Sequence, residues 1–212
     1  DERIQTDPEA AQRIVEQCGR LPLAIRIAGG TLKTKPHWSL ARYAERLANE
    51  QQRLARLNLG DLDVRASFAL SYQELTDTES HLFCLLGLLP RDFASEVVAA
   101  LAELDAEPVM AGLEALLDAQ LVEAQQEGRY QLHDLMRLFA QEELNKTSTQ
   151  EEYQEAQGRV RQWYVEQVNF WGNTLNPLRR RQLAHALQQQ DEKWAIEGLE
   201  QGLLLMGLDW FE

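Results

Sequence analysis

Apolar residues recur at helical spacing through the first sixty positions of the chain. The Asp-Pro pair at residues 7–8 is typical of a helix start, with Asp as N-cap and Pro at the first helical position. Gly19 fits the left-handed position that closes such a helix, and Pro22 starts the next one. A third amphipathic helix is expected over residues 38–57. The pattern therefore predicts a compact helical bundle over residues 1–58.

The middle of the chain changes its hydrophobic period. After a connector at residues 58–63, helical spacing and a cap cluster predict helices over residues 64–75, 76–90, 94–104, 108–119 and 134–144. Between the last two of these, residues 121–132 alternate with a period of two around a Glu-Gly turn, which indicates a β-hairpin. Several helices, a hairpin and a further helix predict a winged-helix domain over residues 59–145.

Residues 146–212 form the third predicted segment. A polar stretch at residues 145–150 is expected to be a linker, and apolar spacing predicts a long helix over residues 153–171. Two shorter helices are expected after Pro177. We interpret this segment as a helical extension, the start of a C-terminal helical region. The fold class is then mainly α, with a helical bundle, a winged helix with a small β-hairpin wing, and further helices.

Charge is spread unevenly over these segments. The 212 residues carry a formal net charge of −13, but residues 1–60 have ten Lys/Arg against seven Asp/Glu. Residues 61–145 have four Lys/Arg against seventeen Asp/Glu, which makes binding to a phosphate backbone unfavourable there. The longest near-apolar run, residues 82–90, is too short to cross a bilayer, so no membrane association is expected.

Cysteine and histidine usage points away from catalysis and metal binding. Cys18 and Cys84 are isolated thiols in apolar helical patterns, and we interpret them as buried core residues in a reducing, cytoplasmic setting. The four histidines are dispersed, and no Cys/His spacing suggests zinc. The chain begins at Asp1 rather than Met, so we expect it to be a segment of a longer protein.

Two short stretches carry the strongest functional signal. Residues 19–24 read Gly-Arg-Leu-Pro-Leu-Ala, which by itself is a common way to end one helix and start the next. Residues 129–134 read Arg-Tyr-Gln-Leu-His-Asp, where Asp134 is expected to cap the helix that follows. His133 would then either leave the strand without a partner or lie beside a helix N-terminus, where free amides favour an anion. Its imidazole could donate a hydrogen bond to a phosphate oxygen even when neutral.

Taken together, these stretches resemble the NB-ARC branch of the STAND signal-transduction ATPases, which occur in plant resistance proteins, apoptosome scaffolds and bacterial regulators. The first stretch is similar to the family's Gly-Leu-Pro-Leu-Ala motif in the first ARC helical domain. Residues 71–75, Ser-Tyr-Gln-Glu-Leu, are similar to the entry to the family's winged helix. Residues 129–134 are similar to its Met-His-Asp signature at the end of the wing. The resemblance covers about residues 1–145.

The resemblance implies a role for six residues. Leu21 and Pro22 would be cofactor-binding residues, with Pro22 packed beside the adenine, and His133 would contact the β-phosphate of bound ADP. The structural or switch residues would be Gly19, Tyr72 and Asp134. Two positions depart from the family pattern: Leu132 replaces its methionine, and Arg20 occupies the place of its glycine, with Gly19 one position earlier.

No Walker A motif is present, because the Gly-Gly-Thr-Leu-Lys-Thr stretch at residues 29–34 lacks the required spacing, and no Walker B motif was found either. We therefore expect a non-enzymatic regulatory segment that does not bind nucleotide tightly alone. The full-length parent would be an ADP/ATP-dependent molecular switch that uses magnesium. The expected partners are the nucleotide-binding domain of the same parent chain and further copies of the parent.

Two other functions remain open. A winged-helix DNA-binding transcription regulator would need a basic recognition helix and wing, and the wing itself offers only Arg129, so DNA is an unfavoured partner. A helical protein-interaction scaffold is suggested by the tryptophan-rich C-terminal part of the chain. Binding to duplex DNA separates the first of these alternatives from the other functions.

Overall fold

The computed structural model describes residues 2–171, and this part of the chain is mainly α-helical with two small antiparallel sheets. Packing divides the chain into two compact units between Tyr153 and Gln154. The predicted domain boundaries at residues 58 and 145 lie within the first unit and stay predictions. The predicted fold class, mainly α with a small β wing, is confirmed.

Five helices build the N-terminal bundle. They are α1 (Glu2–Thr6), α2 (Pro8–Gln17), α3 (Pro22–Thr34), α4 (Leu40–Ala48) and α5 (Glu50–Arg56). The predicted start of α2 is confirmed, because the Asp7 carboxylate accepts a hydrogen bond from the Ala10 N–H at 3.0 Å and Pro8 lies in the first turn. α2 packs along α4, and both helices bury their apolar stripe.

The single helix predicted over residues 38–57 is wrong, because the chain breaks at Asn49 into α4 and α5. The Asn49 side chain accepts a hydrogen bond from the first turn of α5 at 3.1 Å. Arg53 then turns back, and its guanidinium donates to the carbonyls of Leu47 at 2.7 Å and Ala48 at 3.3 Å. These bonds satisfy the carbonyls that the end of α4 leaves open.

The expected connector at residues 58–63 is a tight hairpin. β1 (Asn58–Leu59) pairs with β2 (Leu62–Asp63), and Gly60 provides the positive φ of +57° that the turn requires. The Asp63 carboxylate then accepts a hydrogen bond from the second backbone N–H of α6 (Val64–Gln73) at 2.8 Å. The hairpin therefore leads directly into a capped helix.

The wing segment, residues 59–147, follows the bundle. After α6 its elements are α7 (Asp77–Leu86), β3 (Asp92–Ala94), α8 (Ser95–Ala102), α9 (Ala106–Asp118), β4 (Glu123–Gln126), β5 (Arg129–Gln131) and α10 (Asp134–Thr147). The three strands form one antiparallel sheet in the order β3-β5-β4. The predicted cap cluster before α7 is a capping box in which Thr76 and Glu79 bond each other's backbone N–H.

The sheet differs from the prediction in two ways. β3 was not expected; it pairs with β5 so that Phe93 lies opposite Tyr130, with ring centroids 6.2 Å apart. The first strand of the hairpin begins two residues later than predicted, since Leu121 and Val122 are buried before it and β4 itself is wholly exposed. Leu121 and Val122 attach the wing to the core, while the edge strand β4 is polar, as is usual for exposed edges.

An aromatic cluster of Phe68, Tyr72, Phe83 and Phe139 forms the centre of the wing segment and joins α6, α7 and α10. The ring centroids within this cluster lie 5.6–6.1 Å apart, within the range of favourable aromatic contacts. Cys18 and Cys84 are free and buried, which confirms their prediction as core residues.

The linker predicted at residues 145–150 is wrong, because α10 runs to Thr147 and α11 (Gln150–Trp171) begins three residues later. Thr149 and Glu152 form a capping box at the start of α11, with bonds of 2.7 and 3.2 Å. The long helix predicted over residues 153–171 is confirmed. The helices predicted after Pro177 lie outside the described residues. No helix in the described part of the chain is both long and apolar enough to cross a membrane.

Candidate functional site: the Gly19 loop and the N-terminus of α10

The loop between α2 and α3 contains two consecutive residues in the left-handed region. Gly19 has a φ of +60°, which confirms its predicted closing position, and Arg20 also has a φ of 60°. Their backbone N–H groups donate to the carbonyls of Glu16 at 2.7 Å and Val15 at 3.0 Å, which ends α2. Arg20 adopts a conformation that favours glycine, and it stands where the family motif has its glycine.

Leu21 and Pro22 follow directly. Leu21 is the N-cap of α3 and makes no side-chain cap bond, while Pro22 begins the helix and is exposed to solvent. Proline suits this position because the missing N–H would have no partner inside the helix. The loop thus presents an exposed pyrrolidine ring next to the half-buried Leu21.

His133 connects this loop to the wing segment. Its Nδ1 accepts a hydrogen bond from the Leu135 N–H at 3.2 Å, which makes His133 the N-cap of α10. Because Nδ1 accepts this hydrogen bond, it carries no hydrogen of its own, and the neutral ring has its hydrogen on Nε2. Nε2 lies 2.6 Å from the carbonyl oxygen of Gly19 and donates to it across 114 residues of sequence. The first and third motifs are therefore in direct contact.

The close approach of the imidazole gives Gly19 a second requirement for glycine. A Cβ atom at this position would lie 2.2 Å from Cε1 and 2.6 Å from Nε2 of His133. No side chain fits at such distances unless the ring moves away. Gly19 is thus needed both for its backbone conformation and for its contact with His133.

Asp134 has a different role from the one expected. The prediction that it caps α10 is wrong, because His133 is the N-cap and Asp134 is the first helical residue. Its carboxylate lies 3.6 Å from Nη1 of Arg91, and both side chains are more than a third exposed. An exposed ion pair of this kind contributes little to the stability of the fold, whereas a carboxylate in the first turn of a helix interacts favourably with the helix dipole.

Tyr72 does not join the Gly19 loop. Its ring contacts Phe83 and Phe139 in the aromatic cluster, and its hydroxyl lies 3.4 Å from Sγ of Cys84. Burial, followed by the hydrogen bond to Cys84, raises the pKa of Tyr72 well above its ordinary value. The contact with Phe139 makes Tyr72 a support for α10, the helix that His133 caps.

A cavity of about 90 Å³ lies beside the imidazole. Two of the expected site residues line it, Leu21 and His133, together with Phe68, Gln120, Leu121, Glu123, Gln131 and Met136. The sequence pattern did not identify these six further residues, since they come from five separate elements or loops. Pockets for small molecules usually enclose about 300–1,000 Å³, so this cavity is too small for a nucleotide.

Arg53 was also missed, although it lies close to the site. Its side chain is buried, and burial lowers the pKa of its guanidinium, with the carboxylates of Glu50 and Asp134 acting in the opposite direction. α5 packs against α10, which brings Arg53 near the start of that helix. Among the described residues, no group of three His, Cys, Asp or Glu side chains could hold a metal ion.

Comparisons with known proteins place this geometry in context. No family model matches the chain. Over 140 residues, or 66% of its length, the chain is 45% identical to the regulatory protein AfsR of Streptomyces griseus. Over 141 residues it is 40% identical to AfsR of Streptomyces coelicolor, again covering 66% of the chain. Over 168 residues, or 77% of the chain, it is 25% identical to the disease resistance protein RPS4 of Arabidopsis thaliana.

The chain spans 14% of the length of each AfsR protein and 12% of that of RPS4. RPS4 belongs by name to the plant resistance proteins, one of the groups in which the sequence motifs placed the resemblance. The bacterial proteins are regulators by name. The chain is therefore similar, over about two thirds of its length, to part of two bacterial regulatory proteins, and more distantly to part of a plant disease resistance protein.

Proposed function

We propose that the chain is the regulatory segment of an ADP/ATP-dependent switch of the NB-ARC type within the STAND proteins. The observation that carries this proposal is the 2.6 Å hydrogen bond between His133 and Gly19, which joins two of the three motifs on which the resemblance rests. The similarity to proteins named as regulators supports a regulatory role. The segment is proposed to be non-enzymatic, and the parent to carry the ATPase chemistry together with magnesium.

The single proton on Nε2 explains how such a segment could respond to nucleotide. His133 can donate this proton to the Gly19 carbonyl or to a phosphate oxygen, but not fully to both. A change of acceptor would loosen the contact between the bundle and α10. Such a difference in contacts between two states is what a switch requires.

The geometry fits a segment that contacts a nucleotide held elsewhere. The cavity of about 90 Å³ does not fit a whole ADP molecule, and Glu123 in its lining would repel phosphate. Pro22 is exposed and His133 is half-buried, so both could contact ADP bound on a separate domain. We propose the nucleotide-binding domain of the same parent chain as that partner, self-assembly of the parent in its open state, and a cytoplasmic location.

The test is the dissociation rate of ADP from the full-length parent. His133→Asn keeps a good N-cap for α10 but is too short to reach a phosphate or the Gly19 carbonyl. Loss of one strong hydrogen bond, about 1.5–3 kcal/mol, should speed ADP release roughly ten- to hundredfold. Leu132→Met, which restores the family residue, is the control and should leave the rate unchanged. An unchanged ADP release rate in His133→Asn would contradict the proposal.

A DNA-binding regulator is the second candidate, because the order of helices and strands in the wing segment is compatible with the winged helix that the sequence predicts. The charges oppose DNA binding. Neither the helix before the wing, α9, nor the wing strand β4 contains a lysine or arginine that could contact a phosphate. Electrophoretic mobility shifts with duplex DNA at about 150 mM salt distinguish the two candidates. Salt-sensitive binding at submicromolar concentration would favour the DNA-binding function.

A further inference from the structure

A group of cationic side chains lies beyond the C-terminal end of α3. Trp38, in the turn between α3 and α4, has three cationic groups against its ring. Lys35 Nζ lies 4.2 Å from the ring centroid, and the guanidinium carbons of Arg46 and Arg42 lie at 4.8 and 5.4 Å. We call this group the Trp38 cluster. The cluster and the Gly19 loop lie at opposite ends of α3, which is roughly 18 Å long.

Helix electrostatics explain only part of this cluster. Lys35 follows the C-terminal end of α3, where a cation is favourable. Arg46 lies in the last turn of α4, where a cation is again favourable, but Arg42 lies in the first turn, where the helix dipole disfavours a cation. Among the described residues, no carboxylate forms an ion pair with any of the three cations. The Trp38 ring is thus the partner shared by all three cations, and no carboxylate in the described part of the chain neutralises their charge.

The turn that presents the cluster is held in place by the bundle. The guanidinium of Arg3 donates to the carbonyl of Trp38 at 2.9 Å and to that of Leu32 at 3.0 Å. The indole ring rests against Tyr43, with centroids 6.1 Å apart. Because backbone and ring are both fixed, a ligand would not need to order them on binding.

We propose that the Trp38 cluster binds an acidic segment of a partner protein. Two guanidinium groups offer planar, two-pronged donors for carboxylates, and their contacts with the indole ring hold them close together. A nucleic acid duplex would extend beyond the cluster and meet the rest of a chain whose net charge is −13. A short acidic segment would cover the cluster alone. A second copy of the chain carries the same net charge of −13, so long-range repulsion opposes its approach.

The direct test is isothermal titration of the 212-residue chain with a capped octaglutamate peptide at about 0.05 M salt, where charge interactions are only partly screened. We expect binding, and no binding of a capped octaglutamine peptide. The double variant Arg42→Glu/Arg46→Glu should weaken binding at least about tenfold through loss of two charge-assisted contacts. Both arginines are exposed, and thermal melting checks that the variant folds.

The matched control is Arg13→Glu/Arg26→Glu, which changes the net charge of the bundle equally at two exposed positions without a ring contact to Trp38. It should weaken binding by less than about threefold, since the remaining effect is screened long-range attraction.

Four outcomes would overturn the proposal. They are no binding of octaglutamate, equal losses in the two double variants, duplex DNA binding as tightly as octaglutamate, and a dimer in sedimentation that Arg42→Glu/Arg46→Glu dissolves. The third would indicate a nucleic-acid surface, and the fourth a contact between copies of the chain.

Discussion

The bundle and the wing segment are stabilised in different ways. In the bundle, the open carbonyls at the ends of α3 and α4 are satisfied by arginines from other helices, Arg3 and Arg53. In the wing segment, backbone hydrogen bonds close the C-terminal ends of α8 and α9, and the residues Glu103 and Gln120 at these ends adopt the left-handed conformation. The core of the wing segment is instead organised by the aromatic cluster.

This difference suggests which region each kind of substitution should weaken. The bundle relies on a few charged side chains that bridge helix ends, so removing one donor exposes unsatisfied carbonyls. The wing segment relies on buried aromatic area, so removing ring atoms should cost more. The His133–Gly19 bond joins the two regions and belongs to neither core.

The largest expected effect is in the wing segment. Phe139 contacts the other three rings of the aromatic cluster and is 1% exposed. Phe139→Ala should lower the free energy of unfolding by about 3–5 kcal/mol, measured by urea denaturation. Phe139→Leu should cost less, about 1–2 kcal/mol, because it removes fewer buried atoms. A loss for Phe139→Leu as large as that for Phe139→Ala would mean that ring-specific contacts, and not buried area, determine the effect.

The second effect tests the contact between the regions. Gly19→Ala should destabilise the chain by about 2–4 kcal/mol, since left-handed strain adds to overlap with the imidazole. In a His133→Asn background the overlap disappears, and only the strain of about 1–2 kcal/mol should remain. Thermal melting of the wild type, both single variants and the double variant gives the coupling energy. Additive losses would show that the ring does not constrain Gly19.

The third effect tests the bridging arginines. Arg53→Met keeps most of the side-chain volume and removes the donors to Leu47 and Ala48. We expect a loss of about 1.5–3 kcal/mol in urea denaturation, because hydrogen bonds to a charged group are lost. Arg13→Met, at an exposed position in the same bundle, should change stability by less than about 0.5 kcal/mol. If both variants behaved alike, the cap formed by Arg53 would be unimportant.

The smallest effect has the opposite sign. Arg20 is exposed and has a φ of 60°, a conformation that costs a non-glycine residue about 1–2 kcal/mol. Arg20→Gly removes this strain and adds conformational entropy to the unfolded chain, so a net gain of about 0.5–1 kcal/mol is expected in thermal melting. If Arg20→Gly instead destabilised the chain, the Arg20 side chain would stabilise the fold by more than its backbone strain destabilises it.

Features that depend on neighbouring residues were predictable. The Asp-Pro helix start at residues 7–8, the left-handed Gly19, the capping box at Thr76 and the burial of both cysteines follow from local signals or from period. The sequence pattern also indicated a mainly helical chain with a small wing, since hydrophobic spacing reflects which face of an element is buried.

Features that depend on distant residues were not predictable in this way. The break at Asn49 needs Arg53 to turn back onto α4, and β3 exists only because β5 lies beside it. The capping of α10 by His133 instead of Asp134 depends on where the imidazole is held, and the other side of that ring is bonded to Gly19, 114 residues away. Periodicity and caps act within one helical turn, whereas these contacts arise only when packing brings separate segments together.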